Sequence, residues 1–583
     1  MICRLSLTAP LTLILAACSA EVDELPPLEQ AHAALQRGDG YSAEVRLREM
    51  LDTGTPPAEL AAYLGKAELQ QGNLPEARQW LQSGDFSEAT RGLGFHTLGR
   101  VEMADGNLPA AGLAFDRAYE FIPDDPGLWV DIGRLRYRGG AQTEAIEASI
   151  RAAELGPQHP RALQFRAQLV RDSRGLREAL EWFERAVAAT PDDPELLADY
   201  AATLGELGRA REMLEIVRRI AVIDPANRQM LYLQAVLAAR AGDWSLAQTL
   251  LTRSGHVERG IPAALLLSGI VDLENGNAAS AAQAFGRLEA MQPENRRVRL
   301  LLARSLDQAG NHAELLARFR PDAELPNASP YLLTLVGRAY EAQGQREEAA
   351  QFLDRAAQAR SGNLVALRGN MALGVLRNRG ELAPGETLAL VRDLIVSGER
   401  AEAARRADAF LRDHPGSADA MALAGDALLA NYRIDAALAH YRKSADIRLP
   451  WPLARKMIYA LNSAQRPSDA RNLLERHLAG DPFNAEAANL LARAEFDAGR
   501  FARAAILADH AIEIGGGRDP YLLALRAQVA LRGGETGSET GSNTGAETFA
   551  RRARSLQPLN RAANDTLALV LAQQQAAKDP ATR

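Results

Sequence analysis

The 583-residue chain has only two cysteines, Cys3 and Cys18. So few thiols exclude a disulfide framework and a thiolate metal centre. Aromatic residues are also scarce, at 5% against 47% hydrophobic overall, so the packing material is alanine and leucine rather than rings. Lysine is confined to Lys66, Lys443, Lys456 and Lys578, a bias towards arginine and not a functional signal. A formal net charge of -7 withholds the basic footprint that non-specific nucleic-acid binding requires. No Walker phosphate loop exists, because Gly515-Gly516-Gly517 is followed by Arg518 without the lysine-hydroxyl pair. A Gly-x-Ser-x-Gly nucleophile elbow is missing too. The nine histidines are scattered, with no two at zinc-ligand spacing on one helix, and suit packing or solvent-facing roles. Acid pairs such as Asp124-Asp125 are accounted for as helix starts. The chain is expected not to be an enzyme and to hold no cofactor or metal.

One spacing is abundant. Gly38, Gly72, Gly106, Gly140, Gly208, Gly242, Gly276, Gly310 and Gly344 fall on a 34-residue grid, broken only by Arg174. Five residues past the grid stand Ala43, Ala77, Ala111, Ala145, Ala179, Ala247, Ala281 and Ala349, with Met213 and Leu315 as larger exceptions. Seven before it a small residue recurs, as in Gly65, Gly99, Gly133, Ala167 and Gly269; nine after it comes bulk, as in Leu47, Leu81, Phe115, Phe183 and Phe285. Proline closes several units at Pro123, Pro157, Pro191, Pro225 and Pro293.

Each column has a physical reason. Small residues in both helices of a pair let the backbones approach to the 8–10 Å typical of ridge-into-groove packing. Glycine between them ends a helix in the left-handed region without a Cβ clash. Bulk packs against the next unit, and proline stops the second helix. In Asp125-Pro126 and Asp193-Pro194 an N-cap aspartate precedes an N1 proline.

These columns resemble the tetratricopeptide repeat family. The resemblance implies an all-α fold, a right-handed superhelical solenoid of antiparallel helix pairs that binds rather than reacts. The first array is expected over 28–380. Near Gly380 to Gly385 the register breaks, because Pro384 and Gly385 stand where a second helix is due. A second array, drifting by a residue, follows over 385–531 through Gly398, Ala403, Phe410 and Gly425. A glycine-, serine- and threonine-rich stretch, 532–545, reads as a flexible loop, and 546–583 as the last repeat helix and a cap.

At the N-terminus, Met1 to Arg4 and the apolar Leu5 to Ala17 form a segment too short for a bilayer span of about 20 residues. It has the form of a secretory signal over 1–17. Leu15-Ala16-Ala17-Cys18 resembles a bacterial lipobox. That resemblance implies cleavage before Cys18, lipidation of Cys18, a tether over 18–27, and, with Ser19 next, placement at the outer membrane facing the periplasm.

In the family, first helices line the concave face. The column after the small residue reads Lys66, Arg100, Arg134 and Gln168, and three residues on come Leu69, Met103, Tyr137 and Arg171. Residues three apart are helix neighbours, so Lys66, Arg100 and Arg134 are expected beside exposed apolar groups with no acid at i+3. Arg304 with Asp307, and Arg338 with Glu341, are expected as neutralised pairs. Glu68, Glu102 and Arg136 depart from the family pattern, standing where a large apolar residue is due. Two readings stay open: a groove in the first units that takes acidic and apolar side chains, or arginines that pair with acids on adjacent helices. The expected function is a lipid-anchored scaffold binding partner proteins of a cell-envelope assembly, such as polysaccharide export, pilus biogenesis or envelope maintenance. The alternative is a groove for glycan or peptidoglycan polymer.

Overall fold

The computed structural model describes residues 26–255, 262–293, 295–325, 328–357, 382–533, 542–558 and 560–578. Among them the long regular elements are all α-helices, an all-α repeat array from Pro27–Gln36 to Arg561–Lys578. No described helix is long and apolar enough to cross a membrane. The signal segment and Cys18 lie outside the described residues.

The turns follow the grid. All nine grid glycines take φ between 73° and 85°, and Gly72 ends helix Pro57–Gln71 in the left-handed region. At the one exception the requirement moves by a residue: Arg174 keeps φ -111°, and Gly175 turns at φ 106°. Beyond the register break nearly the same step survives, with glycine at only some of the turns. Gly398, Tyr432, Gln465 and Gly499 carry the positive φ, and Tyr432 and Gln465 are the non-glycine cases. A left-handed side-chain-bearing residue costs about 1–2 kcal/mol. Gln465 is exposed, so Gln465→Gly should stabilise the second array by about 1 kcal/mol in denaturant titration; an unchanged or lower midpoint would contradict the assignment of strain.

Small and bulky columns meet. An added Cβ at Gly65 would stand 2.4 Å from Leu81, at Gly99 2.3 Å from Phe115, and at Gly269 2.5 Å from Phe285. Gly425 and Tyr441 repeat the arrangement in the second array at 2.4 Å. The bulky side chain of the second helix thus lies flat on the backbone of the first, and burying each such side chain stabilises by roughly 1.5–3 kcal/mol. The alanine column is fully buried beside it, from Ala43 to Ala349. Asp193 caps helix Pro194–Glu206 by accepting from the amides of Glu195 and Leu196, as the aspartate-proline motif predicts.

The chain packs as two compact units, one ending at Leu135 and the other beginning at Arg136. The register break expected at 380–385 falls within the second of these. There, 380–381 lie outside the described residues, and Pro384 opens helix Pro384–Val396 as its N1 residue. Two boundaries of the expected 532–545 loop also differ. Arg532 completes helix Pro520–Arg532, and Ser542 opens helix Ser542–Leu556; 534–541 lie outside the described residues.

The second unit is held together by a seam between parts of the chain nearly 300 residues apart. The amides of Gln142 and Thr143, orphans of a helix start, donate to the Gly416 carbonyl at 3.2 and 3.4 Å. Gln142 Oε1 accepts from the Ala418 amide at 3.0 Å, and the Leu449 amide donates to the Asp172 carbonyl at 3.2 Å. Ile146 packs on Ala418, Met421 and Ile447. Gly175 and Gly480 pass close enough that a Cβ on either would touch the other's Cα, and Phe483 lies on Gly208. The seam joins parts of the second unit that lie on either side of the register break in sequence.

Candidate functional site

The expected groove residues up to Arg134 belong to the first unit, and Tyr137 and Arg171 to the second. In the first unit Lys66, Arg100 and Arg134 are half-buried, Leu69 is partly buried in the core and Met103 is buried within it. The apolar groups are therefore not exposed beside the cations, contrary to the sequence expectation. The cause lies at the departing positions. Glu68 and Glu102 point inward and are held by arginines of the preceding second helices: Arg48 Nη2 to Glu68 Oε1 at 3.2 Å, Arg78 Nε to Glu102 Oε1 at 2.7 Å. With acids at the large-residue position, the displaced bulk of Leu69 and Met103 turns into the core.

Arg100 faces an acid of the next first helix. Its Nε lies 3.7 Å from Asp131 Oδ2, the same oxygen that meets His96 Nε2 at 2.8 Å. Asp131 and His96 are both buried. The reading in which groove arginines pair with acids on adjacent helices thus describes Arg100.

The second unit repeats this geometry. Asp199 Oδ2 accepts from Gln164 Nε2 at 2.9 Å and from Gln168 Nε2 at 2.8 Å. Glu486 accepts from Trp451 Nε1 at 2.9 Å and lies 3.2 Å from Arg455 Nη1. In all three cases the acid is reached from residues 35 and 31 positions earlier, one turn apart on the preceding first helix. Parallel first helices of adjacent units stack nearly in register, so a 34-residue repeat brings i against i+35. The sequence held this signal as complementary pairs at that step, which composition and within-helix spacing do not sample.

Tyr137 and Arg171 converge on one side chain. Tyr137 donates to Asp172 Oδ2 at 3.2 Å, and Arg171 Nε lies 3.8 Å from Asp172 Oδ1. Burial pushes the Tyr137 phenol up, and the Asp172 charge adds to this. The neutralised pair expected at Arg304 differs as well: Arg304 reaches Glu274 at 3.5 Å on the previous unit, while Asp307 lies 3.9 Å from His312.

A second concentration of polar groups, missed by the column analysis, gathers where helix Arg228–Arg240 meets Phe483. Arg240 Nη1 donates to the Gly205 carbonyl at 2.5 Å, again across 35 residues, with its guanidinium 5.0 Å from the Phe483 ring centre. Desolvation lowers its pKa, opposed by Glu206 and Tyr232. Glu206 stays in contact with solvent, yet the surrounding chain crowds it and raises its carboxyl above the ordinary range. Burial, with the Glu206 charge second, pushes the Tyr232 phenol up to about 12. Between pH 10, where an unfolded tyrosine loses its proton, and about 12, the folded state keeps a proton that the unfolded state has released. Stability contributed by Tyr232 is therefore complete below pH 10 and lost as pH rises through 12. Tyr232→Phe should flatten the stability decline across that window relative to the parent; parallel declines would rule the assignment out.

Among the described residues no group of three or more histidine, cysteine or acidic side chains is placed to hold a metal ion.

The family profile described as tetratricopeptide repeat matches residues 28–89, 130–194, 266–320, 388–448 and 456–521, together more than half of the chain. No curated protein matches in sequence. Among solved structures, the chain is similar to the APC/C hetero-tetramer Cut9-Hcn1, at 12% identity and TM-score 0.26, covering 93% of this chain and 95% of that one. It is also similar to the Pseudomonas aeruginosa protein pilF, at 17% identity and TM-score 0.30, covering 35% and 93%. The type IV pilus biogenesis factor PilW matches at 17% and 0.30, covering 36% and 98%. Likenesses at this level carry no argument about function.

Proposed function

Because the chain belongs to the tetratricopeptide repeat family, whose repeats typically bind proteins, we propose that it is a scaffold anchored by a lipid on Cys18 and gathering partner proteins in a cell-envelope assembly. Polysaccharide export, pilus biogenesis and envelope maintenance are assemblies of the right kind. The observation that carries the reading is the run of family-matched units along most of the chain, which presents a long surface of many weak contacts and needs no chemistry. The lipobox-like Leu15-Ala16-Ala17-Cys18 supports placement at the outer membrane on the periplasmic side. A scaffold of this kind acts by raising the local concentration of its partners.

Expression of the full chain in a bacterial host with labelled palmitate tests the anchor. Label is expected on the parent and lost in Cys18→Ala, with the variant leaving the membrane fraction. Label-free parent protein, or an unchanged membrane fraction for the variant, would remove the anchor from the proposal. Affinity capture of the lipidated chain tests the cargo: defined protein partners support the scaffold, and co-purifying saccharide without protein would favour the glycan-binding alternative.

A further inference from the structure

On the first unit, away from the first-helix columns, Phe121 of the linker after helix Leu108–Tyr119 meets aromatic and cationic side chains of the flanking helices, while the linker's own charges, Glu120, Asp124 and Asp125, are acidic. Phe121 stacks on Phe95 with centroids 6.1 Å apart and planes 18° apart. Each of these rings carries a guanidinium: Arg91 at 5.4 Å over Phe121, Arg117 at 4.6 Å over Phe95. Beside them Tyr119 meets Trp129 edge to face at 5.8 Å. Tyr119 is 46% exposed and Phe121 42%, so large apolar area faces solvent.

The cluster is built rather than incidental. Trp129 Nε1 donates to the Pro123 carbonyl at 2.8 Å, which fixes the indole. Gly92 lets the linker sit down on helix Arg91–Ala104; a Cβ there would stand 2.7 Å from Ile122 and 3.3 Å from Phe121. Elsewhere in the unit, Arg46, Arg48, Arg78 and Arg100 each lie within 4 Å of a carboxylate. Arg91 and Arg117 have no carboxylate of a described residue within that distance; the nearest acids in sequence, Glu88, Asp116 and Glu120, do not reach them. A guanidinium over a ring face keeps its N–H donors for other partners, and a carboxylate is the partner it can take in a bidentate pair.

We infer that this edge docks an extended protein segment in which carboxylates alternate with aromatic or aliphatic side chains. Arg91 and Arg117 take the acids; the rims of Tyr119 and Phe121 take the apolar groups. A pyranose needs an open ring face, and here guanidinium groups lie over the stacked pair, so an acidic peptide fits better than an acidic saccharide. The inference rests on the protein-binding reading but moves the contact from the groove to the edge.

The test uses the full chain and a synthetic peptide of alternating glutamate and phenylalanine, followed by fluorescence anisotropy. Its glutamine-for-glutamate counterpart and an oligogalacturonate are the comparison arms. The glutamate peptide is expected to bind, and its counterpart to bind at least tenfold more weakly. Arg91→Gln with Arg117→Gln should weaken the glutamate peptide at least tenfold, Tyr119→Ser with Phe121→Ser similarly, and Arg100→Gln not at all. If circular dichroism shows either double variant unfolded, the peptide pair on the parent protein decides. No binding, equal binding of both peptides, an unchanged folded double variant, or tighter binding of the oligogalacturonate would each overturn the proposal. Loss of affinity in Arg100→Gln alone would return the contact to the groove, overturning the edge while leaving protein binding in place.

Discussion

Arg299→Leu should cost roughly 3–5 kcal/mol, the range for breaking a buried ion pair by removing one partner. Leucine is what the repeat itself supplies at this position, in Leu265 one unit earlier and Leu333 one unit later, so by pattern alone the change looks restorative. The structure argues the opposite. The Arg299 side chain is 8% exposed; its two Nη atoms contact Glu289 and Asp322, and its guanidinium lies 5.1 Å from the Phe319 ring centre. Those acids are 19% and 14% exposed, so their charges were taken out of water on the strength of the cation between them. Solenoids unfold in sections, and the loss is best read locally, as amide exchange in helices Arg296–Gln308 and His312–Glu324. Adding Glu289→Gln and Asp322→Asn should recover part of the loss, since the two amides no longer leave uncompensated buried charges. Exchange in Arg299→Leu within a factor of two of the parent would show that the three charges do not act together.

The second large effect is expected at the seam. Ile146→Asp puts a carboxylate against the apolar side chains of Ala418, Met421 and Ile447. Burying an unpaired charge costs several kcal/mol, and opening the seam avoids that cost. Exchange at the amides of Gln142, Thr143, Ala418 and Leu449 should then rise about a hundredfold, equivalent to about 2.8 kcal/mol, while amides in the middle of helices Gln142–Leu155 and Ala418–Ala430 hold. Uniform loss of protection through both helices would mean unfolding rather than opening. Unchanged protection at the four amides would mean that the seam contributes no stability.

The repeat, its turns and its helix starts were legible because each rests on a local requirement with a fixed period. Gly72 must turn left-handed, Gly99 must make room for Phe115, and Asp193 must cap a helix whose first residue is proline. The left-handed positions at Tyr432 and Gln465 escaped because the backbone accepts a strained residue that composition does not advertise. The groove was less legible. Counting three residues along a helix left Arg100 without an acid, while Asp131, thirty-one residues on, lies 3.7 Å away. Met103 was placed outside by the column and inside by Glu102, whose pairing with Arg78 changes which side of the helix must carry the bulk.

By itself the sequence determined helix length, turn position and the small-against-large packing between helices, all set by contacts within one or two units. Only the tertiary structure decided where distant units meet. The small rotation from each unit to the next accumulates over the repeats, and no single residue pair encodes the sum. Gln142 finding Gly416, Asp172 finding Leu449 and Phe483 finding Gly208 are consequences of that sum.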